Sequence, residues 1–91
     1  MSTFIYQVHI EPSNSNNHEH ITRVRWNQQA SNNQGESTTQ EMVRFILGGN
    51  EVFVKDSTGQ VKVFVVNTNP QHLRTYADGK PTNNLLNLPR F

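Results

Sequence analysis

His18 and His20 flank Glu19. On an extended strand, alternate side chains share a face, so the two imidazoles could meet one metal ion. Stable metal sites need three or four ligands, and a third would have to come from His9, His72 or a carboxylate. The helical i, i+4 spacing of metalloprotease histidines is also missing, so the segment reads as a solvated loop and no metal is expected. Nucleophilic catalysis fares no better. The chain has no cysteine, and its serines and threonines sit in turns rather than in a strand-to-helix elbow with a histidine and a carboxylate beside them. Glu36 and Glu41 are assigned to a helix start and Asp56 to a turn, which leaves no carboxylate pair for acid–base work. Gly48-Gly49 follows a predicted helix, whereas a phosphate cradle precedes one. No catalytic residue is assigned and no cofactor is expected.

Two polar constellations remain. Arg74, Thr75, Tyr76, Asp78, Asn83 and Asn84 cluster around a turn and are bracketed by Leu73, Leu85 and Leu88. Such a set could line a small polar pocket. It could equally be structural: Asp and Asn close turns through their own backbone, and an Arg74–Asp78 ion pair could fasten the tail. In the second constellation, Arg23 and Arg25 share a strand face, while Lys55 with Phe53 and Lys62 with Phe64 pair cations with aromatics. That mixture suits base stacking and phosphate neutralisation. The competing reading is a core aromatic beneath an ordinary solvated face, which a formal charge of only +1 favours.

The elements that must carry these groups follow from hydrophobic periodicity. Phe4, Tyr6, Val8 and Ile10 recur every second residue and predict a strand over 4–10 with those four on one face. Glu11 to Glu19 is an exposed loop with local mobility. A second strand over 21–27 points Val24 and Trp26 inward and sets Ile21 with Arg23 and Arg25 on the other face. Gln28 to Glu36 reads as loop, and Ser37 with Gln40 as a capping box. The helix runs to Leu47, with Met42, Phe45 and Ile46 on its apolar side, and ends at Gly48-Gly49. Glu51–Lys55 and Val61–Val66 form a hairpin through Asp56-Ser57-Thr58-Gly59 with Gly59 at positive φ. The second of these strands is apolar on both faces and so central. His72–Tyr76 is a short further strand, and 77–91 is an irregular tail.

The expected fold is therefore α+β, in the order β-β-α-β-β. One antiparallel or mixed sheet of four to five strands carries a single helix on one face. The 91 residues form one domain, which buries roughly 60% of the surface of its unfolded chain. Hydrophobic residues make up 33% and charged residues 16%, so uncharged polar side chains dominate and long loops are expected. The 8 basic and 7 acidic residues nearly balance, which argues against electrostatic capture of nucleic acid or membrane by the whole surface. The absence of cysteine fits a reducing cytoplasm, and the alternating start is neither a leader nor a membrane span.

The stretch His72-Leu73-Arg74-Thr75-Tyr76-Ala77-Asp78-Gly79, followed by Thr82-Asn83-Asn84-Leu85-Leu86-Asn87-Leu88-Pro89, resembles the C-terminal signature of the Domain of Unknown Function 3892 family. The likeness extends upstream through Ile21-Thr22-Arg23-Val24, the helix end at Met42 to Gly48 and the Val52 to Val65 hairpin. It leaves the first strand outside. The matching tail positions are Arg74, Thr75, Asp78, Asn83, Asn84, Leu85, Leu88 and Pro89. The resemblance implies a compact bacterial cytoplasmic protein and carries no activity, substrate or cofactor. The expectation is a noncatalytic binding or interaction module with a protein partner, using a sheet edge or the Arg74–Asn84 region. The alternatives are a weak nucleic-acid binder using Arg23, Arg25, Lys55 and Lys62, and an accessory subunit of an enzyme complex.

Overall fold

The computed structural model describes residues 2–28, 31–56, 59–68, 71–77 and 79–91, with backbone alone for Asp56 and Ala77. The strands are β1 (Thr3–Ile10), β2 (Ile21–Gln28), β3 (Asn33–Thr38), β4 (Val52–Asp56), β5 (Gly59–Val66), β6 (His72–Ala77) and β7 (Lys80–Thr82), and α1 is Thr39–Leu47. They form one sheet in the order β3-β2-β1-β4-β5-β6-β7. Every neighbouring pair is antiparallel except β1 with β4. Helix α1 carries the chain from the β3 edge over β2 and β1 to β4, and it touches β2 and β3 on one side and β5 and β6 on the other. The sheet thus curls around its helix.

Seven strands replace the four to five expected from the sequence. The two additions are edge strands with no apolar periodicity. β3, Asn-Gln-Gly-Glu-Ser-Thr, holds its place by pairing with β2 along its whole length, Arg23↔Thr38 to Gln28↔Asn33. Gly35 lies opposite Trp26, where a Cβ would stand 2.7 Å from Trp26 Cζ2, so the indole occupies the space a side chain would need. β7, Lys-Pro-Thr, pairs with β6 after the positive-φ Gly79, and Pro81 is tolerated because the strand is at an edge.

Two bulges redirect the core faces. Ile5 pairs with Trp26 and Gln7 with Arg25, leaving Tyr6 extra; His9 pairs with Arg23 and Ile10 with Ile21, leaving Thr22 extra. A bulge shifts the alternation by one. Ile5, Val8 and Ile10 therefore share the core with Val24 and Ile21, while Phe4 turns to the other face beside Phe53. This corrects the expected Phe4-Tyr6-Val8-Ile10 face and the outward Ile21.

Past Phe4↔Phe53, β1 and β4 have no further paired residues among those described. The tail comes into register beside β1: Val8 N–H donates to Pro89 O at 3.1 Å, Phe91 N–H donates to Val8 O at 3.1 Å, and Arg90 forms a parallel bridge with Val8. Leu85 is fully buried in the central cluster, with Leu86 and Leu88 packed against it. The stretch expected to be irregular is part of the sheet and the core.

The helix cap lies one residue beyond the expected Ser37. Thr38 Oγ1 accepts from Glu41 N–H at 3.2 Å and Glu41 Oε1 accepts from Thr38 N–H at 2.9 Å, a complete capping box. Ser37 Oγ instead accepts from Trp26 Nε1–H at 3.0 Å. Met42 and Val43 are the buried apolar pair, Phe45 and Ile46 flank them, and Leu47 faces solvent. Gly49 at φ 98° closes the helix in the left-handed region. In β5, Val61 and Val63 are buried, whereas Phe64 on the opposite face is 40% exposed. The strand is central in the sheet, with one face open.

Candidate functional site

Between β1 and β2 the chain makes a 3-10 turn at His18–His20, fixed by local polar bonds. Asn17 Oδ1 accepts from Glu19 N–H at 2.9 Å, Ser15 Oγ accepts from Asn17 N–H at 3.1 Å, and Ser15 Oγ meets His20 Nδ1 at 2.6 Å. Arg90 ties the loop to the tail, donating to Ser13 O at 2.6 Å and to Asn16 Oδ1 at 3.5 Å. This scaffold turns His18 inward, where only 6% of its surface stays exposed. The expected solvated loop is thus a built wall with one buried imidazole.

His18 faces β6. There Leu73 and Thr75 point into the core, so by alternation Arg74 points to the other side. The tail turn supplies Asn83, Leu86 and Asn87. Together with Asn16 and Asn17 these residues line an open cleft of about 600 Å³, and among the described residues no carboxylate lines it. Two buried side-chain atoms without a hydrogen-bond partner, His18 Nε2 and Arg74 Nε, belong to residues of this one cleft. Arg74 forms no ion pair with any described residue. Buried polar atoms are nearly always paired, and each orphan costs about 1–3 kcal/mol.

Burial, followed by the positive charges of Arg74 and His72, holds the His18 imidazole below its ordinary pKa of 6.5. A histidine depressed on folding binds fewer protons folded than unfolded, so its share of stability is present above 6.5 and is lost as pH falls towards the folded value. His9 has the opposite sign. Its ring bonds Glu11 Oε1 at 2.9 Å and the Phe91 main-chain oxygen, which raise its pKa, so its share is lost as pH climbs above 6.5. His18→Gln is therefore expected to flatten the fall in melting temperature between neutral and mildly acidic pH, and His9→Gln to leave that fall in place. Thermal melts across that range measure both.

The polar residues singled out in the sequence part company here. Arg74 and Asn83 line the cleft. Thr75 is fully buried, its Oγ1 2.7 Å from Thr82 Oγ1, and clasps β6 to β7. Tyr76 meets Phe64 edge-on at 5.4 Å. Asn84 is half-buried in the tail turn and does not line the cleft. Asp78, and with it the proposed Arg74–Asp78 pair, lies outside the described residues, as do Ser57 and Thr58 of the expected hairpin turn. Asn16, Asn17, Leu86 and Asn87 were not singled out, and His18 was weighed only as a metal ligand beside His20. An asparagine directly before a histidine, in the position of an N-cap, was the one local signal that this loop folds back.

The cations of the second constellation are spread over β2, β4 and β5, and each is engaged within the fold. Arg23 Nε and Arg25 Nε both bond Glu36, at 2.7 and 3.3 Å, and hold that carboxyl below its ordinary pKa. Glu36 thus belongs to β3 and not to the helix start. Arg25 also donates to Gln7 at 3.1 Å and lies 4.1 Å over the Phe91 ring. Lys55 sits over Phe4 at 4.7 Å rather than over Phe53. Lys62 lies over Phe64 at 5.4 Å and 3.5 Å from Glu51. Among the described residues no three metal-binding side chains gather, and His72 bonds Thr68 at 2.9 Å. A smaller niche of about 140 Å³ under α1 is lined by Trp26, Ser37, Gln28 and Thr3, whose polar atoms bond one another.

Among the described residues no helix is long and apolar enough to cross a membrane. Neither the curated proteins nor the solved structures contain a match to this chain. A family model described as "Protein of unknown function (DUF3892)" matches residues 4–89, so the first strand, expected outside the likeness, lies within it. With all but the ends of the chain covered, the protein belongs to the DUF3892 family of proteins of unknown function.

Proposed function

We propose that the chain is a noncatalytic binding module of a bacterial cytoplasmic protein, and that its contact site is the cleft between the 3-10 turn, Arg74 and the tail turn. One observation carries this reading: His18 and Arg74, each of which leaves a buried nitrogen without a partner, line the same open cleft. Polar atoms held without partners inside a fold are economical when a ligand completes them. Affinity capture from native lysate, treated with nuclease, is the test. A partner recovered by the wild type and by Phe64→Ser, and lost with a folded Arg74→Met chain, is the expected outcome. Recovery unchanged by Arg74→Met would remove the cleft from the account.

A second reading has its own observation. Lys62, the 40%-exposed Phe64 and Tyr76 form a cation–aromatic strip on the uncovered face of the sheet, of the kind that stacks unpaired bases. It is supported if single-stranded nucleic acid binds at low salt and Phe64→Ser abolishes the binding.

A further inference from the structure

Deepening the binding-module reading, and resting on it, we propose that the group held in the cleft is a phosphate monoester, its oxygens taken by the Arg74 guanidinium and His18 Nε2–H. Three features of the wall point to an oxygen-rich anion. Among the described residues the cleft's guanidinium has no ion pair, and no carboxylate lines the cleft to compete. His18, more than nine-tenths buried, leaves Nε2 without a partner. Asn16 and Asn17 have their acceptor oxygens occupied, Asn16 Oδ1 by Arg90 at 3.5 Å and Asn17 Oδ1 by Glu19 N–H at 2.9 Å. Both amides therefore offer the NH₂ end, a donor, to whatever enters.

The spatial arrangement selects among anions. A planar carboxylate is satisfied by the fork of one arginine. Here the polar residues that line the cleft come from three separate stretches of chain, the loop at Asn16–His18, strand β6 at Arg74 and the tail turn at Asn83 and Asn87. Such a set matches the divergent oxygens of a tetrahedral phosphate. At about 600 Å³ and open to solvent, the cleft is larger than the bare anion, and Leu86 gives the body attached to the phosphate an apolar flank. The same ester oxygens occur on a phosphorylated side chain and on a small phosphorylated metabolite.

Isothermal calorimetry of the whole chain with inorganic phosphate, glycerol phosphate, a glycine-flanked phosphoserine peptide and acetate tests the assignment. Phosphate is expected to bind saturably at millimolar concentration or tighter, with acetate much weaker. Arg74→Met and His18→Gln should each weaken phosphate roughly 10- to 100-fold, the range of lost charge-assisted hydrogen bonds. Tighter binding of the peptide than of glycerol phosphate identifies a phosphorylated protein as the source, and the reverse identifies a metabolite. Absence of saturable phosphate binding by the wild type, or equal binding by both variants, overturns the proposal. If phosphate fails while a captured partner still depends on Arg74, the cleft remains a contact site and only its phosphate occupant is lost.

Discussion

Leu85→Ala is expected to lower the unfolding free energy by about 2–5 kcal/mol, the range for truncating a buried leucine whose cavity cannot fully collapse. Leu85 is fully buried although it lies in a turn, outside every helix and strand. It belongs to the same buried cluster as Ile5, Val8, Ile10, Val24, Leu73 and the helix side chains Met42 and Val43, all below 4% exposure. These come from strands on both sides of the β1–β4 seam, so the side chain joins the tail to the core that both halves of the sheet share. For a chain of this length about 1 kcal/mol moves the melting temperature by about 4–8 °C, and the variant should melt at least about 8 °C lower. Leu88→Ala, at a half-buried position, should cost clearly less. Urea unfolding of both variants is the measurement. Equal, small losses would mean that the tail only lies on the surface. Because Asn83, Leu86 and Asn87 flank Leu85 in sequence, the same anchor holds the tail wall of the cleft.

Where local chemistry alone decides an element, the residues announce it. The helix from Thr39 to Leu47 and the β4–β5 hairpin stand where apolar spacing, a capping motif and Gly49 and Gly59 place them. The hidden elements depend on partners distant in the chain. β3 has no apolar residue and is a strand because β2 offers it a free edge and Trp26 covers Gly35. Neither bulge leaves a local mark, since Tyr6 and Thr22 suit a regular strand as well as a bulged one. Arg74 and Asn83 were legible as site candidates because they lie close together in sequence. His18 was legible only as a possible metal ligand and not as a neighbour of Arg74, because it approaches Arg74 from more than fifty residues away and its loop composition resembles that of any solvated turn.

The second large effect has an unusual sign. If Arg74 were a structural fastener, removing its guanidinium would cost stability. Here the Nε is buried without a partner and the charge stands beside a desolvated imidazole, so both are penalties in the empty cleft. Arg74→Met keeps the straight stem and removes both, and it is expected to stabilise the chain by about 1 kcal/mol, offsetting part of the 1–3 kcal/mol that an orphaned donor costs. Phosphate reverses the order: at ten times its Kd a ligand adds about 1.4 kcal/mol to the protein that binds it.

Melting temperatures of the wild type and Arg74→Met, each with and without phosphate, therefore test the ligand cleft most directly. The account expects the variant to melt about 4–8 °C higher in phosphate-free buffer, with phosphate raising the wild type alone. A variant that melts below the wild type, with both indifferent to phosphate, would show Arg74 to be a structural tie and contradict the account.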